Sequence, residues 1–176
     1  APQVGVHAIR IAAAAIAEMA IGRIGDDTTV NVGQIEGGRA SNIVPDYCEV
    51  SGELRSFSHE KALEELAKVE QIFAKEAEKR GGSIEFIRDI CYQAYKTDEK
   101  ESVVKEFQKA CTACGIKSSL IATFGGSDQN KMSEHGIPGI VMASAMHQVH
   151  SCQEYTEVSE MAQVAGIVSE LLQMKE

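Results

Sequence analysis

The chain contains 176 residues, which is enough for one ordinary domain or two small ones. Its hydrophobic fraction of 44% and charged fraction of 24% are typical of a folded globular protein. The net charge of −9 argues against a nucleic-acid-binding surface, since phosphate recognition needs a basic face. No apolar run approaches the roughly 20 residues that cross a bilayer, so we expect neither a nucleic acid nor a membrane as partner.

The five cysteines form an odd set without the spacing of a disulfide framework, which favours reduced thiols and a cytoplasmic protein. Two of them form the string CTAC at 111–114, a spacing that redox motifs share. Cys111 and Cys114 recur with apolar neighbours at helical spacing, near a helix C-terminus where no dipole lowers a thiol pKa. We therefore interpret this pair as core residues.

Residues 7–92 predict the order helix, strand, strand, helix, strand. The second helix begins after a Ser58 cap and ends at Gly81-Gly82. The order is that of a ferredoxin-like α+β unit without its first strand, so we expect Ala1 not to be the natural start. The predicted strands are 28–35, 47–56 and 83–92. The apolar stripe of the first helix is Ile9, Ala12, Ala13, Ile16 and Met19, and that of the second helix is Ala62, Leu66, Val69, Phe73 and Ala77.

From residue 93 onward the pattern alternates between helix and strand, as in an α/β domain. The string GIVMAS at 139–144 is continuously apolar, which predicts a strand of a parallel sheet covered on both faces. We therefore predict two modules, 1–92 and 93–176. The second module contains helices at 99–114, 127–135 and 158–174, strands at 118–124 and 138–144, and a final stripe of Met161, Val164, Ala165, Val168 and Leu171.

Two polar residues of the first module are candidates for a site. Asn42 lies in the turn-rich string GGRASNIVPD, where its side chain either serves a ligand or bonds its own backbone. Arg55 lies on the polar face of the following strand, where it either binds an anion or forms an exposed ion pair. Composition and spacing leave both alternatives open.

The second module contains two further candidates. The string TFGGSDQN places Gly125, Gly126 and Ser127 between a strand and a helix, where backbone N–H groups can receive an anion, although a capped glycine turn is equally consistent. His150 follows an apolar strand at the sheet edge where open α/β sheets bind ligands. His147 lies three residues earlier. One ligand, two ligands and two surface residues are all compatible with this spacing.

Four strings together resemble those of a known enzyme family. In order they are SNIVPD with Asn42, GELRS with Arg55, GGSDQN at 125–130, and VHSCQEY with His150. The chain is similar over nearly its whole length to the di-zinc exopeptidases that include peptidase T, carboxypeptidase G and succinyl-diaminopimelate desuccinylase. It is most similar to the peptidase-T-like branch. The resemblance implies that 1–92 is a lid or dimerisation domain and that 93–176 is the C-terminal part of the catalytic domain.

The resemblance also implies residue roles. His150 would be a zinc ligand, and His147 would be a neighbour outside the family motif. Asn42 would hydrogen-bond the scissile carbonyl or its oxyanion in the partner subunit's site, and Arg55 would meet a substrate carboxylate. The substrate pocket would be lined by Gly125, Gly126 and Ser127.

The implied activity is hydrolysis of short peptides by a homodimer with two zinc ions in each complete site. The other metal ligands and the glutamate base would lie upstream of Ala1, so we expect the segment alone to be inactive. An amidohydrolase acting on N-acyl amino acids is the alternative within the same family. A dimerisation or binding module without catalysis is the alternative from another class.

Overall fold

A computed structural model describes residues 2–174, and it divides the chain into two compact units with a boundary between Ala94 and Tyr95. The first unit is a three-stranded antiparallel sheet with two helices, and the second contains three helices and a hairpin whose two strands have two residues each. This confirms the mixed α/β class. Within residues 2–174 no helix has both the length and the apolar content to cross a membrane.

The sheet of the first unit has the strand order β1-β2-β3, with β1 at Gly22–Ile24, β2 at Thr28–Gly37 and β3 at Cys48–Ser56. β2 and β3 form a long ladder with a bulge between Val32 and Gln34. The alternation predicted for β3 is confirmed, since Cys48, Val50 and Leu54 are partly buried while the residues between them are exposed.

Helices α1 (Ala8–Glu18) and α2 (His59–Lys79) pack against each other and against this sheet. The predicted ends of α2 are confirmed. The Ser58 hydroxyl accepts the Lys61 N–H at 3.4 Å, and beyond Gly81, which has a φ of 73°, the Gly82 N–H donates to the Ala77 carbonyl at 2.9 Å.

In the second unit, α3 (Ser102–Ala113) packs against α5 (Val158–Gln173). Cys111 is only 1% exposed, and burial raises the pKa of its thiol, which confirms its interpretation as a core residue. A short helix α4 spans Asp128–Glu134, and strands β4 (Met146–His147) and β5 (Tyr155–Thr156) form the hairpin. The core centres on Ala110, Cys111 and Ile167, surrounded by Phe107, Cys114, Ile116, Met142, Leu171 and Met174.

The stripe predicted for α1 is largely confirmed, whereas the stripe predicted for α5 is confirmed only in part. In α1, Ala12 is buried and Ala13 is the one predicted stripe residue that is exposed; the other three, Ile9, Ile16 and Met19, are partly buried. Ile11 and Ala15 are buried in addition, so the packed face is wider than predicted. In α5 the buried residue is Ile167, and Val164 and Leu171 of the predicted stripe are partly buried, whereas Met161 and Val168 are exposed. That helix has apolar residues on two sides, so its periodicity does not determine which side packs.

Three predicted strands are not formed. Residues 83–92, 118–124 and 138–144 make no ladder with another strand among residues 2–174. Ile87 and Ile121, in the first two of these segments, are each 82% exposed. In the third segment Val141 is exposed, so the expectation that GIVMAS is covered on both faces is wrong for this structure. The apolar pattern describes the faces of a strand, but a strand exists only where a neighbour completes its backbone hydrogen bonds.

The core position of Cys111 predicts a specific stability effect. We expect Cys111→Ser to lower the free energy of unfolding by about 1–3 kcal/mol, because a hydroxyl in the apolar core has to find a hydrogen-bond partner there. The matched control is Cys91→Ser, since Cys91 is exposed and should tolerate the change. Urea unfolding of both variants measures the difference, and equal effects would contradict the packing described for α3 and α5.

Candidate active site

Asn42 lies in the connection between β2 and β3. A turn is closed there by the Ile43 N–H, which donates to the Ala40 carbonyl at 3.2 Å. The Asn42 side chain is exposed, and its amide makes no hydrogen bond with any residue within 2–174. The amide is thus not occupied by its own backbone and is free to donate to a ligand.

Arg55 is already paired. Its Nε donates to Glu53 Oε1 at 3.0 Å and its Nη2 to Glu53 Oε2 at 2.8 Å, and this bidentate contact raises the pKa of Arg55. The side chains of Arg55 and Glu53 are 44% and 56% exposed, so the pair contributes at most about 1 kcal/mol. A substrate carboxylate at Arg55 would have to replace Glu53 or share the guanidinium with it.

The β2–β3 ladder separates Asn42 from Arg55. Its end next to the Asn42 turn pairs Gly37 with Cys48, whereas Arg55 pairs with Thr29 at the other end. The seven steps along the strand from Cys48 to Arg55 span roughly 23 Å at about 3.3 Å each. The structure therefore does not bring these two predicted site residues together, and a single hairpin cannot present both to one small substrate.

The turn before α4 uses most of the donors that were expected to line a pocket. The Gly125 N–H donates to Thr123 Oγ1 at 3.2 Å, and the Ser127 N–H donates to Asn130 Oδ1 at 3.0 Å. Only the Gly126 N–H of the three makes no hydrogen bond within the described part of the chain. The buried Asn130 therefore has a role in this turn that the sequence analysis missed, because the usual capping-box signal is Glu or Gln at that position rather than Asn.

His150 lies in the loop that the β4–β5 hairpin closes. Its side chain is exposed, and its backbone has a φ of 63°, a left-handed conformation that is unusual for a residue with a side chain. The backbone N–H donates to Glu154 Oε2 at 2.9 Å, which leaves both ring nitrogens outside that contact. His150 is thus held by its backbone and presents its imidazole to the surroundings.

His147 has a different environment. Its Nε2 lies 2.5 Å from Glu160 Oε2, and its ring stacks on Tyr155 with centroids 4.7 Å apart. The Glu160 contact joins the hairpin to the start of α5, and the Tyr155 stack joins the two strands of the hairpin. Since Glu160 already occupies Nε2, this arrangement favours a structural role for His147.

A metal site requires several His, Cys, Asp or Glu side chains close together. Among residues 2–174 no three His, Cys, Asp or Glu side chains group as a metal ion would require. His150 fits the role of one ligand, because its imidazole is exposed and imidazole is a common zinc donor. The described residues do not form a metal site by themselves.

The first unit resembles a domain of known peptidases. Residues 1–81 match the sequence profile described as a peptidase dimerisation domain. Residues 1–81 thus correspond to the dimerisation domain of M20 peptidases, and the mixed α/β architecture of the first unit corresponds to the lid domain of such structures.

The most informative relatives extend over nearly the whole chain. Aminopeptidase PepT from Bacillus cereus shares 36% identity over 98% of this chain, with a TM-score of 0.83. A tripeptidase from Staphylococcus aureus shares 31% identity over 98%, with a TM-score of 0.89. The uncharacterised Bacillus subtilis protein YqjE is 34% identical over 172 residues. The chain spans 46% of the length of each of these three relatives.

A more distant structure shows the fold alone. The Bacillus subtilis protein YXEP, described as a dinuclear metal-binding peptidase of the M20 family, is 18% identical over 94% of this chain with a TM-score of 0.70. The comparisons therefore extend the similarity beyond residues 1–81, to the part of the chain that contains His150.

The left-handed backbone of His150 predicts how substitutions there affect stability. We expect His150→Ala to leave the free energy of unfolding nearly unchanged, because the side chain is exposed. His150→Gly should be more stable than His150→Ala by about 1 kcal/mol, since glycine adopts a positive φ without steric cost. Thermal unfolding of the two variants measures this, and a less stable glycine variant would contradict the conformation.

Proposed function

We propose that the complete protein is a zinc-dependent exopeptidase of the M20 family that hydrolyses short peptides in the manner of peptidase T. The observation that carries the proposal is the match of 98% of this chain, at more than 30% identity, to both an aminopeptidase and a tripeptidase. A cytoplasmic location is part of the proposal, supported by the five free cysteines.

His150 is proposed as one metal ligand, with the remaining ligands outside the described residues. Two zinc ions, when bound, would supply an activated water and polarise the scissile carbonyl. The role proposed for this chain is to hold the imidazole of His150 in an exposed, fixed position. The chain alone should therefore neither bind a zinc pair nor hydrolyse peptides, which metal analysis and a peptidase assay of the purified chain would test.

Asn42 and Arg55 are proposed to act on the substrate at different stages. The free Asn42 amide can donate to charge that develops on the scissile oxygen, so Asn42→Ala should lower kcat by roughly 10²–10³-fold. Arg55 can bind a carboxylate that is already present in the ground state, so Arg55→Ala should mainly raise KM. Gly125, Gly126 and Ser127 are proposed to line the pocket, with the Gly126 N–H as the donor that remains available.

The proposal includes a homodimer formed through the first unit. Residues 31–37 of β2 extend beyond the three residues that pair with β1, so this edge has no strand partner among residues 2–174. A second copy of the chain could pair with it through backbone hydrogen bonds. Exposed Ile35 lies on this segment and would be covered in such a dimer.

A charge at this edge should prevent dimer formation. We expect Ile35→Lys to convert the dimer into a monomer, because two lysines would meet where the edges pair. Ile87→Lys is the control, since Ile87 is exposed in the same unit but lies off the β2 edge. Analytical ultracentrifugation distinguishes the species, and a dimer that survives Ile35→Lys would exclude this edge.

The separation of Asn42 and Arg55 predicts that one of them acts across the dimer. If so, mixing full-length Asn42→Ala subunits with Arg55→Ala subunits should restore activity, because each mixed dimer contains one site with both wild-type residues. Turnover is measured below KM in confirmed mixed dimers, where loss of either residue is visible.

A second mixture identifies which residue crosses. Asn42→Ala with His150→Ala should recover activity if Asn42 is contributed by the partner, whereas Arg55→Ala with His150→Ala should not. Recovery only in the second mixture would reverse the assignment. If none of the three mixtures recovers activity, including the mixture of Asn42→Ala with Arg55→Ala, each subunit supplies its own residues.

A further inference from the structure

We propose that Glu154 is a positioning residue that holds His150 in its left-handed conformation and so sets the direction of the imidazole. The inference rests on the proposed role of His150 as a metal ligand. It goes beyond that role by naming the side chain that fixes the ligand before any metal binds.

Backbone strain is concentrated in one loop. Three non-glycine residues among 2–174 have a positive φ, and all three lie in this loop: Ala145 at 62°, Gln148 at 50° and His150 at 63°. Left-handed conformations are unfavourable for residues with a Cβ, so they persist only where surrounding contacts compensate for them. A sequence of six residues with three such conformations therefore needs an identifiable set of restraints.

The restraints lie within the loop and at its base. The Ser151 hydroxyl donates to the Gln148 carbonyl at 2.7 Å and accepts the Gln153 N–H at 3.1 Å. At the base, the Thr156 hydroxyl donates to the Ala145 carbonyl at 2.6 Å. These contacts restrain the neighbours of His150 but not His150 itself.

Glu154 provides the direct restraint. Its Oε2 accepts the His150 N–H at 2.9 Å, and a carboxylate forms a stronger hydrogen bond with an N–H group than a neutral acceptor does. The contact is made to the backbone, so the imidazole is left available. The His147–Glu160 contact and the Tyr155 stack anchor the hairpin below, but they do not touch His150.

Amide hydrogen exchange in this chain tests the restraint without any metal. Glu154→Ala should accelerate exchange at the His150 N–H by roughly tenfold or more, because a hydrogen bond to a charged group is lost. Glu154→Gln, which retains an acceptor oxygen, should restore part of the protection. Glu157→Ala is the matched control, since the Glu157 side chain makes no capping hydrogen bond to α5. Unchanged exchange in Glu154→Ala would overturn the proposal.

Zinc binding to the full-length protein separates the two hypotheses. Glu154→Ala should weaken zinc affinity by about 10–100-fold, as for residues that orient a ligand, and Glu154→Gln should recover most of it. If His150→Ala leaves zinc stoichiometry and affinity unchanged, the ligand role of His150 is wrong, whatever the exchange result. If His150→Ala abolishes one site but Glu154→Ala does not alter affinity, the positioning role of Glu154 alone is wrong. A loss of zinc in Glu154→Ala without faster His150 exchange would instead make Glu154 a ligand and also overturn the proposal.

Discussion

The ladder between β2 and β3 is the constraint on which the candidate site of the first unit depends. Its register sets Gly37 opposite Cys48 and Thr28 opposite Ser56, and thereby determines which side chains share an end of the sheet. Asn42 is placed at one end and Arg55 at the other, even though only 13 positions separate them in the printed sequence. The ladder therefore keeps the two residues apart within one chain, and this separation is the basis of the proposed exchange between subunits.

The same constraint explains which elements could be predicted. The ends of α2 follow from local signals, a serine cap and a glycine pair, and both are found where the sequence indicates. Residues 83–92 have an equally clear apolar pattern, but their ladder depends on a strand that is not found within residues 2–174. Helical hydrogen bonds are internal to a segment, whereas strand hydrogen bonds are not. Local sequence therefore identifies helices more reliably than it identifies paired strands.

The candidate site shows a similar division. The residue types at Asn42, Arg55 and His150 were found from four short strings, but their contacts were not. Glu53 lies two residues before Arg55 and Glu154 lies four residues after His150, so both carboxylates are close in sequence. Their positions in the sequence do not indicate which groups they bind. Glu53 binds the Arg55 guanidinium because of strand alternation, and Glu154 binds the His150 N–H because of a left-handed backbone.

The two carboxylates have opposite effects on the groups that they bind. Glu154 bonds the backbone of His150 and leaves its side chain available, so the interaction can persist while the imidazole binds a ligand. Glu53 bonds the side chain of Arg55, so the interaction competes with a substrate carboxylate for the same guanidinium nitrogens. Because that pair is half exposed, water can solvate Glu53 when it is displaced, and the exchange costs little free energy. Arg55 can therefore be paired in the free protein and still bind a carboxylate, whereas the ligand role proposed for His150 requires its conformation to be maintained throughout.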